Sequence, residues 1–257
     1  MQLPKLHIKE WLNETGKISA FGLQFFRMAF RRPFETREFF RQCFLIGYNS
    51  IFLVVTTGFI MGLVLTLQVR PTMIDFGAEG YIPSMVGIAI VREIGPVVTA
   101  LICAGKIGSS IGAELGSMRV TEQIAAMEVS GTNPFKYLVV TRIWASIFML
   151  PLLIILADAI GIFGSYLIEN LKGDVSMTLY FNKVFNNLGF SDLIPATIKS
   201  FFFGLVIGVV GCYKGYYSEK GTAGVGYAAN SAVVLASLLL FIVDFLAVLV
   251  ADAYYSV

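Results

Sequence analysis

Five stretches of this chain constrain its fold more than any motif does: residues 47–69, 83–111, 137–168, 193–213 and 231–251 are long, apolar and almost free of charge. A helix needs about 20 apolar residues to cross the hydrocarbon layer of a bilayer, and every one of these runs is that long. They predict an all-α integral membrane protein with five transmembrane helices. Composition agrees, since 56% of the 257 residues are hydrophobic, only 14% are charged and the mean hydropathy is +0.76. A soluble domain holds about 45–50% apolar residues. The first long apolar run begins only at residue 47, after a charged stretch, so no cleavable signal peptide is expected.

Charge distribution orients the spans. With the N-terminus in the cytoplasm, that side holds all of the 19 lysines and arginines except Arg70, Lys172 and Lys183 outside and the buried Arg92 and Lys199. Positive loops stay inside, so five spans put the N-terminus in the cytoplasm and the C-terminus outside. The chain then divides into a cytoplasmic and interfacial N-terminus, residues 1–46, and a five-helix transmembrane region, residues 47–257. Between Ile18 and Phe44, eight phenylalanines alternate with five arginines, the composition of a helix lying in the membrane interface. Pro33 interrupts it and predicts two short pieces or an elbow. A soluble amphipathic helix on a partner is the alternative, and nucleic acid is not expected beside a membrane span.

Several chemistries find no support. Cys43, Cys103 and Cys212 lack paired spacing and read as small core residues, not as a disulfide or metal site. His7, the single histidine, has no metal-ligating neighbours. Gly105-Lys106 resembles the end of a phosphate-binding loop, but Ala100 and Ile107 occupy the other required positions. Without a nucleophile, histidine or metal cluster beside the carboxylates, no catalytic residue, metal or bound cofactor is expected in this chain.

Small residues mark tight packing. Gly58 and Gly62 lie four apart in the first span, and Gly105, Gly108, Ser109, Gly112, Ala113 and Gly116 form a ridge in the second. After that ridge, residues 114–130 cannot cross a membrane: Glu114, Arg119, Thr121, Glu122, Gln123 and Glu128 alternate with apolar positions before Gly131 and Pro134 end the segment. A short cytoplasmic helix is expected there, free to dock in a partner's groove or to serve as a plain connector. The outer loop 169–192 has room for a short helix, and the loop 214–230 is rich in glycine.

Arg92, Glu93, Asp158, Lys199 and Asp244 lie inside apolar spans. Counted from the outer ends at 1.5 Å per residue, all five fall at a depth of about 10 to 15 Å. Ionisable groups at such depth are costly and default to a functional hypothesis. Two readings stay open: ion pairs that fix helix register, or the polar lining of a cavity that receives a charged headgroup in the outer half of the bilayer.

The blocks REIGPV from Arg92 and MRVTEQI from Met118, with Ile198-Lys199-Ser200 and the GTAGVG run from Gly221, closely resemble the MlaE family of permeases over nearly the whole chain. That resemblance implies the permease of an ATP-binding-cassette transporter carrying phospholipid between inner and outer membranes, with maintenance of outer-membrane lipid asymmetry. It implies a homodimer in the bacterial inner membrane, a separate cytoplasmic ATPase that binds ATP and Mg, a periplasmic MCE-domain protein and a small STAS-domain partner. Residues 114–130 match the family's coupling helix, the N-terminal elbow its interfacial helix, and Arg92, Glu93, Lys199 and Asp244 its charges near the lipid pocket. Lys106, Ala125, Thr141 and Ser231 depart from the family pattern, where arginine, aspartate, proline and a basic residue are usual. Two other classes compete: a secondary transporter driven by the charged layer without ATP, and a scaffold that recruits a soluble partner and moves nothing. Five spans with no visible inverted repeat argue against the first.

Overall fold

The computed structural model describes residues 5–31, 34–219 and 221–255, so the elbow expected at Pro33 lies outside the described residues, as do Lys220 and the side chain of His7. In chain order the helices are α1 (Lys5–Ala29), α2 (Thr36–Asp75), α3 (Ile82–Ala89), α4 (Gly95–Cys103), α5 (Ser109–Val120), α6 (Gln123–Val129), α7 (Thr141–Gly173), α8 (Met177–Asn187), α9 (Phe190–Tyr216) and α10 (Thr222–Tyr255). Three π turns, Ile90–Ile94, Ala104–Gly108 and Phe135–Val140, join α3 to α4, join α4 to α5 and lead into α7. The described residues therefore contain five helical bodies long and apolar enough to cross a membrane: Thr36–Asp75, Glu79–Val120, Phe135–Gly173, Phe190–Tyr216 and Thr222–Ala253. All five expected spans are present, and the fold is all-α.

Small residues set the closest helix crossings. A Cβ at Gly58 would lie 2.8 Å from the Ala157 carbonyl oxygen, and one at Gly62 would run into the Gly161 carbonyl, so α2 and α7 touch backbone to backbone. Close approach of this kind replaces the hydrophobic effect, which supplies little drive between helices in lipid. The second-span ridge is used on two sides. Gly112 faces Ala228 and Ala229 of α10, while Gly215 of α9 meets the Gly112 backbone from the other side. Gly105 meets nothing and is not part of the ridge. Span five lies outermost: its buried face is the alanine stripe Ala228, Ala232 and Ala236, and only 11% of its most apolar window is covered.

At one end of the bundle α8 closes over α3. Tyr180 and Val184 are buried against Ile82, Val86, Ile90 and Ile162, so the expected loop helix is real and is packed, not dangling. At the other end α1 lays Phe21, Phe25 and Ala29 against the bundle and leaves Leu23, Phe26 and Phe30 exposed. Phe25 packs on Trp144, with ring centroids 5.8 Å apart.

Three sequence expectations need correction. Residues 114–130 are not one helix: α5 runs on from the second span to Val120, Glu122 turns left-handed at φ 57°, and α6 then follows as a separate two-turn helix. Left-handed backbone is unfavourable for a side chain-bearing residue, and neither glycine nor proline announces it. The glycine-rich loop is far shorter than residues 214–230, because α9 continues to Tyr216 and α10 begins at Thr222. Gly224 is helical and abuts the Glu219 carbonyl, a fit that a side chain would block. The first transmembrane helix also starts earlier than expected, at Thr36, so the segment after α1 is the beginning of α2.

Candidate functional site

Lys199 is the centre of the buried charge. It projects from α9, is 3% exposed, and its Nζ donates to Glu93 Oε2 at 2.7 Å and to Asp244 Oδ1 at 3.1 Å. One ammonium thus ties spans two, four and five together. Burying a lone lysine is expensive, whereas a lysine with two carboxylate acceptors is compensated for much of that cost.

Glu93 reaches Lys199 because of the π turn at Ile90–Ile94. There Gly95 N–H bonds to Ile90 O, five residues back, which widens the helix and rotates the side chains that follow. Arg92, about 100° further round, points away from Lys199. Its guanidinium side chain is 52% exposed, and its nearest carboxylate is Asp192 at 3.9 Å. A cleft of about 30 Å³ separates Arg92 from the apolar wall of Ala247 and Val248. Asp192 was not among the predicted residues; its position in the first turn of α9 hides it among loop residues.

Asp158 comes from α7 and approaches the same π turn from behind. It is buried and its Oδ1 has no hydrogen-bond partner among the described residues. Gly95 makes room for it, since a Cβ there would collide with Oδ1. Of the five predicted residues, Glu93, Lys199 and Asp244 therefore form one network, Arg92 lines the same cleft as Glu93 and Lys199 without pairing with them, and Asp158 packs behind the π turn.

Two further buried pairs brace the bundle. Arg70 donates from Nη1 to Glu169 Oε1 at 2.8 Å and from Nη2 to the Lys172 carbonyl at 2.6 Å, linking the ends of α2 and α7. Beside it Thr66 Oγ1 and Tyr180 OH both lie 2.6 Å from Ser165 Oγ. Burial pushes the Tyr180 phenol up to about 12, and the Glu169 carboxylate adds to that rise while the Ser165 hydrogen bond opposes it. At the opposite end Arg142, 1% exposed, forms an ion pair with Glu114 at 2.8 Å and donates to the Leu138 carbonyl at 2.9 Å. Sequence reading placed Arg70 and Glu169 in outer loops and Glu114 in the docking segment. Opposite charges at matching ends of neighbouring apolar runs were the available signal.

The docking segment itself is otherwise open. Arg119, Thr121, Glu122, Gln123 and Glu128 are all exposed, Ile124 and the partly buried Met127 anchor α6 to the bundle, and Val129 is 91% exposed. No group of three or more His, Cys, Asp or Glu residues suited to a metal ion exists among the described residues.

A family model described as Permease MlaE matches residues 39–250, which takes in all five spans, the charge network and the docking segment. The chain belongs to the MlaE permease family. Related sequences cover it almost end to end. A probable ABC transporter permease protein of Rickettsia prowazekii is 39% identical over 240 residues, 93% of each chain. A similarly named protein of a Synechocystis species is 34% identical over 230 residues, 89% of this chain and 88% of the relative. An intermembrane phospholipid transport system permease protein MlaE from Haemophilus influenzae is 33% identical over 207 residues, 80% of this chain and 79% of that one. This MlaE-family chain is thus a multi-pass membrane subunit of the ABC permease type, and the residues that carried the resemblance, Arg92 to Val97 and Met118 to Ile124, are the ones that form the charge network's π turn and the exposed docking segment.

Proposed function

We propose that this chain is the permease subunit of an ATP-binding-cassette transporter that moves phospholipid between the inner and outer membranes, with Arg92 as the headgroup contact. The observation that carries the second half is the division of labour between the two cations. Lys199 is saturated by two carboxylates, while Arg92 has one loose partner and a half-exposed guanidinium beside an apolar wall. A guanidinium so placed suits a phosphodiester, which it can grip with two donors at once, and the wall suits the acyl chains. Glu93, Lys199 and Asp244 hold the three helices in register around it.

The remaining parts of the machine follow from the family and from exposed surface. The sparsely covered face of span five favours a homodimer, with the lipid cavity between copies. The segment from Arg119 to Glu128 presents side chains to a cytoplasmic ATPase, where ATP and Mg bind and hydrolysis occurs. An MCE-domain protein receives lipid on the periplasmic side, and a STAS-domain protein is the expected small partner. The positive-side bias supports an inner-membrane location with the N-terminus cytoplasmic and the C-terminus periplasmic.

The test is phospholipid transfer from proteoliposomes holding the complex with its native partners to acceptor membranes, with and without ATP. ATP-dependent transfer that Arg92→Glu abolishes, with assembly and ATP hydrolysis intact, supports the proposal. Full transfer by Arg92→Glu refutes the headgroup contact, and transfer that ignores ATP refutes the ATP-driven reading.

A further inference from the structure

Thirteen residues after Glu93, and therefore about 20 Å further along span two, a second polar cavity opens between α2 and the α4–α5 helix. Its volume is about 200 Å³, against about 30 Å³ for the cleft at Arg92. Gln42, Asn49, Ser50, Lys106, Ser110 and Glu114 supply its polar lining, and the rest is aliphatic. From this cavity we infer a second phospholipid headgroup site, at the end of the span opposite the Lys199 network, in which Lys106 binds the phosphate. The inference rests on the lipid-transport reading above and deepens it.

Charge selects an anion. Glu114 is held by the buried Arg142 at 2.8 Å, and Glu38, just behind the cavity, is held by Gln42 at 2.7 Å and Arg41 at 3.4 Å. Each carboxylate near the cavity thus has its own cation or amide. Lys106 has no ion-pair partner among the described residues, so it is the uncompensated charge. Its position is built and not incidental: it sits in the π turn Ala104–Gly108, as Arg92 and Glu93 sit in the other π turn of the same helix. Turns of this kind concentrate at functional sites.

Hydrogen-bonding capacity selects a ligand rather than a plug of side chains. Ser50, 1% exposed, is among the lining residues, and its Oγ has no partner among the described residues. An unsatisfied buried hydroxyl is costly unless something fills the site. Gln42 spends its amide N–H on Glu38, which leaves the hydroxyls of Ser50 and Ser110 and the amide of Asn49 as donors beside Lys106. One cation, several neutral donors and an aliphatic rim open to the side match a phosphodiester with acyl chains. A lysine that merely snorkelled to the interface would need no polar lining around it.

The experiment is photo-crosslinking in the assembled transporter, in vesicles of radiophosphate-labelled phosphatidylglycerol and phosphatidylethanolamine, with a photoreactive residue replacing Ser110 or, as the outer reference, Val248. The expected result is labelled lipid captured at both positions, with capture at Ser110 falling about tenfold in Lys106→Glu and surviving in Lys106→Arg, as loss of a charge-assisted contact requires. Capture at Val248 stays unchanged in both variants, which also reports that they fold. Excess inorganic phosphate leaves capture intact if the site recognises lipid; if phosphate abolishes it, the site is one for free phosphate and the lipid inference fails. Capture at Val248 but not at Ser110, capture at Ser110 indifferent to Lys106→Glu, or a protein–protein adduct at Ser110 each overturns the second site alone. Absence of lipid at both positions overturns the transport reading with it.

Discussion

Replacing Lys199 by methionine tests whether the three-helix charge network is architecture as well as chemistry. The variant keeps the shape of the side chain's stem but leaves Glu93 and Asp244 facing one another without the ammonium that sits 2.7 and 3.1 Å from them. Coulomb's law at an effective dielectric of about 20 gives a gross attraction of roughly 5 to 6 kcal/mol per contact. Most of that is offset by the desolvation of the groups, and deleting one partner of a buried pair costs about 3–5 kcal/mol net. Glu93 is 40% exposed on its side chain, so its contact is screened and the lower figure applies. A loss of about 3 kcal/mol lowers the unfolding temperature of a chain this size by roughly 6–12 °C. The assay is thermal unfolding of the purified complex in detergent, comparing Lys199→Met with the triple variant Lys199→Met, Glu93→Gln, Asp244→Asn. The triple variant is expected to recover most of the loss, because no unpaired charge stays buried. A single variant as stable as the native protein, or a triple variant no better than the single, would refute the reasoning.

Other outcomes follow from the packing. Gly62→Val drives a side chain into the Gly161 carbonyl and separates α2 from α7; a loss of about 1–3 kcal/mol is expected for such overpacking, read as a lower unfolding temperature, with Gly105→Val as the harmless comparison because nothing lies near it. Tyr180 is expected to ionise late, because burial pushes its phenol up to about 12. The folded value exceeds the unfolded one near 10, so its contribution to stability is complete below pH 10 and disappears as pH rises through about 12. Phenolate absorbance of native protein against Tyr180→Phe checks this, and a difference spectrum that appears already at pH 10 would contradict the buried hydroxyl cluster.

The places where sequence reading stopped share a cause. The five spans were legible because length and apolarity act locally: any helix of that composition must leave water, whatever its neighbours. The docking segment was legible as non-spanning for the same reason, but not the left-handed turn at Glu122, which no glycine or proline marks. Arg70 and Glu169 looked like loop residues because the ends of α2 and α7 extend beyond the apolar runs, and only their pairing reveals them as buried.

By itself, then, the sequence determined a five-span helical protein and, through REIGPV and MRVTEQI, its family. Tertiary structure alone decided which charges meet. Depth along a helix follows from counting residues, but direction around it depends on every turn between, and the π turns at Ile90–Ile94 and Ala104–Gly108 each add a rotation that periodicity does not foresee. The result pairs Glu93 with Lys199 at 2.7 Å and leaves Arg92 with its nearest carboxylate 3.9 Å away. Lys106 shows the same physics: an ordinary cytoplasmic-side cation in the sequence, it becomes the unpaired charge of a cavity once α2 and α7 have brought Ser50 beside it and Arg142 to Glu114.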